Sequence, residues 1–176
     1  SLSPHGNHDA YRREAERCIK DLNFVGIKLH TIGHGVNPLS DDGDFVFATA
    51  HDLGVPAMVH TGAGVPFALP ALCIPAAKKY PGLNIILAHA GMAVFTAEPQ
   101  VAASVCGNLY LEPSWCIGED IRWMISTIGP DRVMMGADLP SNVPVEIAKY
   151  RSLDLTPEVY DRVMGGTALE IFKLKW

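Results

Sequence analysis

The chain has 176 residues, of which 48% are hydrophobic and 19% are charged, and its formal net charge is -5. This length and composition are typical of one globular domain with a hydrophobic core, and we expect residues 1–176 to form a single domain. The charges form no basic stripe, which argues against a nucleic-acid-binding surface. No apolar run approaches the roughly 20 residues of a membrane span.

The four cysteines indicate a reducing environment. Cys18, Cys73, Cys106 and Cys116 form no CxxC pair, so the sequence predicts reduced, buried thiols and gives no zinc knuckle. The chain does not open on a basic segment followed by an apolar one, as a signal peptide would. We therefore expect a cytoplasmic protein.

Helical and extended segments alternate along the chain. The predicted helices cover residues 10–22, 45–53, 70–80, 95–105, 119–128, 145–150, 157–164 and 167–172, and residues 31–42 read as a long polar loop. The predicted strands cover residues 24–30, 56–60, 83–89, 109–112 and 133–136. These strands are continuous apolar runs, which is typical of a parallel sheet covered on both faces.

An ionisable residue stands at or just after the end of each predicted strand. These residues are His30, His60, His89, Glu112 and Asp138. They recur at intervals of roughly 23 to 30 residues, as a repeated strand–helix unit would give. An open doubly wound sheet usually concentrates its site at one switch point, whereas a (β/α)8 barrel collects strand-end residues around its rim. The sequence therefore favours an α/β fold of the (β/α)8 TIM-barrel type.

The predicted barrel is incomplete. A whole barrel takes roughly 250 residues and eight strands, and this sequence predicts five strands. We expect the chain to be the C-terminal five-eighths of a barrel.

Three of the strand-end residues form a candidate metal site. His60 and His89 end consecutive strands and Asp138 ends a third, so their side chains can converge at the rim. Imidazole and carboxylate groups together suit a divalent metal, with Zn²⁺ favoured and Mn²⁺ as the other candidate. Such a metal would activate a water molecule and polarise a substrate carbonyl or carboxylate.

Five segments, in order along the chain, resemble the amidohydrolase superfamily, and more narrowly its amidohydrolase family 2 of metal-dependent hydrolases and non-oxidative decarboxylases. The segments are 26–30 (GIKLH), 59–62 (VHTG), 86–91 (ILAHAG), 129–140 (GPDRVMMGADLP) and 164–172 (MGGTALEIF). The resemblance implies a distorted barrel in which the five predicted strands are the fourth to the eighth. It also implies an enzyme that hydrolyses or decarboxylates a small carboxylate, amide or lactone.

The resemblance also implies roles for single residues. His60 matches a metal ligand of the fifth strand, and His89 matches a sixth-strand residue that binds metal or acts as acid and base. Asp138 matches the eighth-strand ligand that also handles the proton of the metal-bound water. The family's first strand carries a His-x-His or Glu-x-His metal pair, which this sequence does not supply.

Other polar residues are candidates for contact with a small-molecule substrate. His30, His34, Glu112 and Trp115 are expected to line the pocket. Lys28 stands two residues before His30 on the same side of the strand. In some superfamily members a carboxylated lysine bridges two metals, and Lys28 is a candidate for that role.

Two alternatives to the metal-dependent enzyme remain open. Lys28 can be the imine-forming amine of a metal-free barrel lyase. The chain can also be a catalytically incomplete piece, because an open array of strands leaves unpaired edges and an exposed apolar face. For such a piece we expect self-association or poor solubility, and we expect the protein to be a homo-oligomer.

Overall fold

The computed structural model describes residues 3–175 and contains a parallel sheet whose strands are joined by helices. The strands are β1 (Ile27–Leu29), β2 (Ala57–His60), β3 (Ile85–Ala88) and β4 (Leu109–Glu112). They lie in the order β1-β2-β3-β4, and every neighbouring pair is parallel. This arrangement confirms the prediction of a parallel sheet built from strand–helix units.

Helices precede, connect and follow the strands. They are α1 (His8–Lys20), α2 (Thr31–His34), α3 (Asp41–Asp52), α4 (Ile74–Lys79), α5 (Ala97–Val105), α6 (Gly118–Ile128), α7 (Val143–Arg151), α8 (Pro157–Asp161) and α9 (Thr167–Ile171). Short 3₁₀ turns lie at Pro66–Ala68, Pro70–Cys73, His89–Gly91, Pro130–Arg132 and Pro140–Asn142, and a π turn joins α8 to α9 at Arg162–Gly166. Among residues 3–175, no helix is both long and apolar enough to cross a membrane.

Both faces of the strand β3 are covered, which explains why it reads as a continuous apolar run. All four residues of β3 are at most 1% exposed. Ile85 and Leu87 belong to the large cluster formed with the surrounding helices, whereas Ile86 packs with Met134 and Ile171 on the other side. A strand buried on both faces cannot carry the polar alternation of a strand with one wet face.

The register of the sheet brings the strand ends to one edge. His60 is the partner of Ala88, and Ala88 is the partner of Glu112. His89 follows Ala88 directly. The carboxyl ends of the parallel strands therefore present His60, His89 and Glu112 side by side.

The fifth predicted strand is reduced to a single bridge. Within residues 3–175, Val133 pairs with Leu111 but extends into no ladder. The backbone N–H groups that follow bond to different segments: Met134 donates to the Leu111 carbonyl, whereas Met135 donates to the Val163 carbonyl in the π turn. Asp138 thus follows an irregular segment and adopts a left-handed φ of 60°, so its prediction as the end of a regular strand was wrong.

The predicted loop at 31–42 contains α2 and the start of α3. His30 caps α2, because its Nδ1 accepts a hydrogen bond of 2.8 Å from the Gly33 amide. Ser40 caps α3 by accepting from the Gly43 amide. Side-chain caps satisfy amides that have no partner in the first turn of a helix, and here they make a polar segment helical.

Candidate functional site

Three histidine rings lie together at the carboxyl edge of the sheet. The His30 and His60 rings are stacked, with centroids 4.9 Å apart and planes 8° apart. The His89 ring meets His60 edge-on, also at 4.9 Å between centroids. His60 is 5% exposed and His89 is 3% exposed, so two of these imidazoles are held inside the protein.

The ring of His89 is fixed by a serine that the sequence did not single out. Ser114 Oγ lies 2.7 Å from His89 Nδ1 and donates a hydrogen bond of 3.1 Å to Glu112 Oε2. A hydroxyl has one hydrogen, so Ser114 accepts from His89 Nδ1–H while it donates to Glu112. The remaining nitrogen, Nε2, then carries a free lone pair and lies 3.9 Å from Asp138 Oδ1.

Glu112 stands behind His89 and is 6% exposed. Its Oε2 accepts the His89 backbone N–H at 3.1 Å, and its Oε1 accepts the Ser114 backbone N–H at 3.0 Å. Burial raises the pKa of Glu112, and these hydrogen bonds oppose that change. A Cβ atom on Gly136 would collide with this carboxylate, so the close approach requires glycine there.

Asp138 is held by the predicted pocket residue Trp115. Trp115 Nε1–H donates to Asp138 Oδ2 at 3.0 Å, while the other oxygen of Asp138 faces His89. Both Trp115 and Asp138 adopt left-handed backbone conformations, with φ of 69° and 60°. Such conformations are rare for residues other than glycine and concentrate at functional sites.

Lys28, in the middle of β1, places a positive charge near the groups at this edge of the sheet. Burial lowers the pKa of Lys28, and the negative charges of Glu112 and Asp138 oppose this change. Burial and then the charge of Lys28 lower the pKa of His89 to about 4. Burial, followed by the charges of His30 and Lys28, also lowers the pKa of His60. The histidines His60 and His89 are therefore neutral near pH 7 and can accept a proton or a metal ion.

His34 lies beside this cluster. Its Nδ1 accepts a hydrogen bond of 3.3 Å from the His30 amide, and its ring centroid is 6.3 Å from that of His30. Its backbone oxygen accepts from His5 Nε2 at 2.7 Å. The structure thus places His34 at the rim of the site, next to the N-terminal segment.

The donors at this edge fit a divalent metal as part of a ligand set. His60 Nε2 is buried and, among residues 3–175, has no hydrogen-bond partner. A metal ion could therefore bind this nitrogen without displacing a hydrogen bond. In the same part of the chain, no three His, Cys, Asp or Glu side chains already form a group that could hold a metal. A complete site therefore needs further ligands or a closer approach of those present.

A sequence profile decides the family. The profile described as amidohydrolase matches residues 3–174. The chain belongs to the amidohydrolase family. A comparison of the whole sequence with curated proteins found no match.

Solved structures show how much of the amidohydrolase fold the chain represents. It resembles 5-carboxyvanillate decarboxylase from Sphingomonas paucimobilis, with a TM-score of 0.78 and 18% identity, over 99% of this chain and 65% of that one. It also resembles a dihydroxybenzoic acid decarboxylase from Polaromonas sp. JS666, solved with manganese and 2-nitroresorcinol. The TM-score is 0.73 and the identity 20%, over 98% of this chain and 68% of that one. For a 4-oxalomesaconate hydratase from Rhodopseudomonas palustris, the TM-score is 0.65 and the identity 20%, over 96% of this chain and 62% of that one.

These matches confirm the predicted fold class. The amidohydrolase chain is a partial TIM barrel with an α/β architecture. It spans 65% of the length of the first decarboxylase and 62% of the hydratase.

Three residues that support this site were missed from the sequence: Ser114, which holds His89, and Asn142 and Glu146, which hydrogen-bond to each other and to the turns that carry Asp138 and Trp115. Ser114 lies two residues after Glu112, in the turn that follows the strand, so a search for polar residues two positions beyond each strand end would have found it. Glu146 and Asn142 come from the distant helix α7 and the turn before it. Nothing in their local pattern indicates that they reach the site.

Proposed function

We propose that this amidohydrolase chain contributes the proton-handling part of a metal-dependent decarboxylase or hydrolase site for a small carboxylate substrate. The observation that carries the proposal is the fixed orientation of His89. Its Nδ1 is held by Ser114, and its free Nε2 lies 3.9 Å from Asp138. A neutral imidazole in this position can take a proton from a reacting group and return it.

His60 and Asp138 would hold the metal, with His89 as a further ligand or as the acid and base. When bound, a divalent metal polarises a substrate carbonyl or carboxylate. Asp138 keeps one oxygen toward His89 and the other on the Trp115 indole, so its carboxylate is oriented before any ligand arrives. Preorganisation of this kind lowers the cost of ordering the site during reaction.

Lys28, His30 and His34 would contact the substrate. The ammonium group of Lys28 is a cation that could attract a substrate carboxylate toward the neutral imidazoles of His60 and His89. The His30 ring lies flat against His60 and offers a planar surface beside it. Glu112 and Trp115, which the sequence predicted as pocket residues, would act by holding His89 and Asp138.

Decarboxylation of an aromatic acid is the reaction we favour. Two of the matched proteins are named as decarboxylases of such acids, and one was solved with manganese. We therefore propose Mn²⁺ beside Zn²⁺ as the metal. We also propose that residues 1–176 form one domain, the C-terminal five-eighths of the barrel.

Metal binding tests the ligand assignment. The chain is titrated with Mn²⁺ and Zn²⁺ by calorimetry, together with His60→Ala and the control His51→Ala, whose side chain is 43% exposed. We expect His60→Ala to weaken binding at least tenfold and His51→Ala to leave it unchanged. Equal binding by the unmodified chain and His60→Ala would remove His60 from the ligand set.

Activity tests the role of His89. Release of CO₂ from 2,6-dihydroxybenzoate and 5-carboxyvanillate is followed in the presence of Mn²⁺. We expect the loss of a general base to lower the rate 10²- to 10⁴-fold in His89→Gln. A variant as fast as the unmodified chain would exclude His89 from proton transfer.

Lys28 favours a second candidate function. Burial lowers its pKa, and a larger neutral fraction makes a lysine a better nucleophile for imine formation. Borohydride trapping with candidate carbonyl compounds distinguishes the two functions. Covalent labelling of Lys28 supports the metal-free lyase, and its absence under conditions of turnover excludes it.

A further inference from the structure

We infer that Glu146 is the positioning residue for the Trp115–Asp138 pair. Glu146 lies in α7 and is 1% exposed. A carboxylate is rarely buried to this degree unless its oxygens are paired. The hydrogen-bond and ion-pair partners of Glu146 therefore indicate its structural role.

The first connection runs from Glu146 to the turn that carries Trp115. The backbone N–H of Trp115 donates to Glu146 Oε1 at 3.0 Å. Trp115 is in a left-handed conformation with φ of 69°, which costs a non-glycine residue free energy unless the surroundings hold it. A buried carboxylate is a strong acceptor for that amide, and it fixes the direction in which the indole leaves the backbone.

The second connection runs from Glu146 to the turn that carries Asp138. Asn142 Nδ2 donates to the same Oε1 of Glu146 at 2.9 Å and to the Ala137 carbonyl at 3.1 Å. Ala137 directly precedes Asp138. One oxygen of Glu146 therefore ties together the two turns whose side chains meet in the Trp115–Asp138 hydrogen bond.

The other oxygen of Glu146 faces a lysine that closes the same network. Lys149 Nζ forms an ion pair with Glu146 Oε2 at 2.7 Å and donates to the Cys116 carbonyl at 2.8 Å. Cys116 follows Trp115, so Lys149 holds the far side of the same turn. Glu146 touches neither His60 nor His89 by any of these contacts, and it acts through Trp115 and Asp138.

The functional meaning of the Trp115–Asp138 pair rests on the proposed function, whereas its positioning by Glu146 can be measured without metal or substrate. The probe is the indole N–H of Trp115 in ¹H–¹⁵N NMR spectra of metal-free protein, assigned with Trp115→Phe. The indole of Trp123, on the exposed face of α6, is the internal reference. Glu146→Leu removes the acceptor, and Glu146→Gln keeps an acceptor oxygen of the same reach.

We expect Glu146→Leu to shift the Trp115 indole resonance and to raise its hydrogen-exchange rate about tenfold, the effect of losing roughly one hydrogen bond. Glu146→Gln should restore most of the protection, and Trp123 should not change. The exposed Glu119→Gln is the matched control and should match the unmodified chain. An unchanged Trp115 indole in folded Glu146→Leu overturns the proposal.

Two further measurements decide the proposal if Glu146→Leu does not fold. Asn142→Ala removes the hydrogen bonds of Asn142 to Glu146 Oε1 and to the Ala137 carbonyl, which cuts the connection to the turn of Asp138 and leaves the bond from the Trp115 amide to Glu146 in place. It should move the Asp138 amide and the Trp115 indole while the Trp115 amide stays protected. In the unmodified chain the Trp115 amide should exchange slowly, and exchange at the rate of an unstructured peptide overturns the proposal. A chain that binds no metal would refute the ligand assignment but would leave these expectations unchanged.

Discussion

Removal of the Ser114 hydroxyl tests how His89 is held. Ser114 is 0% exposed, and its hydroxyl is shared between His89 Nδ1 and Glu112 Oε2. Ser114→Ala leaves the Nδ1–H group inside the protein without an acceptor. Because a buried donor without a partner costs about 1–3 kcal/mol, we expect the free energy of unfolding to fall by that amount. His89 can recover part of this cost by moving its hydrogen to Nε2.

Two measurements follow this change. Urea unfolding gives the loss of stability, and long-range ¹H–¹⁵N correlation of the imidazole gives the tautomer of His89. We expect the Nδ1–H form in the unmodified chain and a substantial Nε2–H population in Ser114→Ala. The control is Ser104→Ala, whose exposed hydroxyl donates to the Val101 carbonyl and should change stability by less than about 0.5 kcal/mol. An unchanged tautomer and unchanged stability in Ser114→Ala would refute this account of His89.

Three other predictions concern pH, packing and association. Because the pKa of His89 falls from 6.5 to about 4 on folding, the unfolded chain binds a proton that the folded chain does not. The metal-free chain should then lose on the order of 3 kcal/mol as pH falls from about 6.5 to about 4, and urea midpoints should show that His89→Gln lacks this component. Gly136→Ala should lower the free energy of unfolding in urea by about 1–3 kcal/mol, because its Cβ meets the Glu112 carboxylate. Gly107→Ala, whose Cβ would have nothing within 4 Å, should leave the free energy of unfolding unchanged. Phe24 is 56% exposed and lies just before β1, which among residues 3–175 pairs only with β2. Because an open strand edge and an exposed apolar side chain favour association, sedimentation should show self-association that Phe24→Ser weakens. A monomer at high concentration would contradict this prediction.

The sheet could be predicted because its signal is local. A strand buried on both faces must be apolar at every position, and residues 85–88 satisfy this condition without exception. The polar residue that follows such a strand is also local information. His60, His89 and Glu112 were therefore predicted at one edge of the sheet, and the register confirms that their strand ends lie side by side.

The missing details depend on contacts between distant segments. Residues 133–136 have the composition of a strand, but a ladder needs a partner along its length, and Met135 bonds to Val163 instead. Helix α2 was missed because its cap is the histidine His30, which is not among the residues that usually cap helices. Glu146 reaches Trp115 across 31 positions of sequence, and no periodicity indicates that contact.

Two of the three carboxylates at the carboxyl edge of the sheet hold the backbone in conformations that it would otherwise avoid. Glu112 accepts the amide of His89, which has φ of 65°, and Glu146 accepts the amide of Trp115, which has φ of 69°. Each such residue stores on the order of 1–3 kcal/mol of strain, and a charge-assisted hydrogen bond to its amide can offset it. The side chain of Glu112 is 7% exposed, that of Glu146 is 1% exposed and that of Asp138 is 39% exposed. A ligand can therefore reach Asp138, whereas Glu112 and Glu146 set the directions from which His89 and Trp115 approach it.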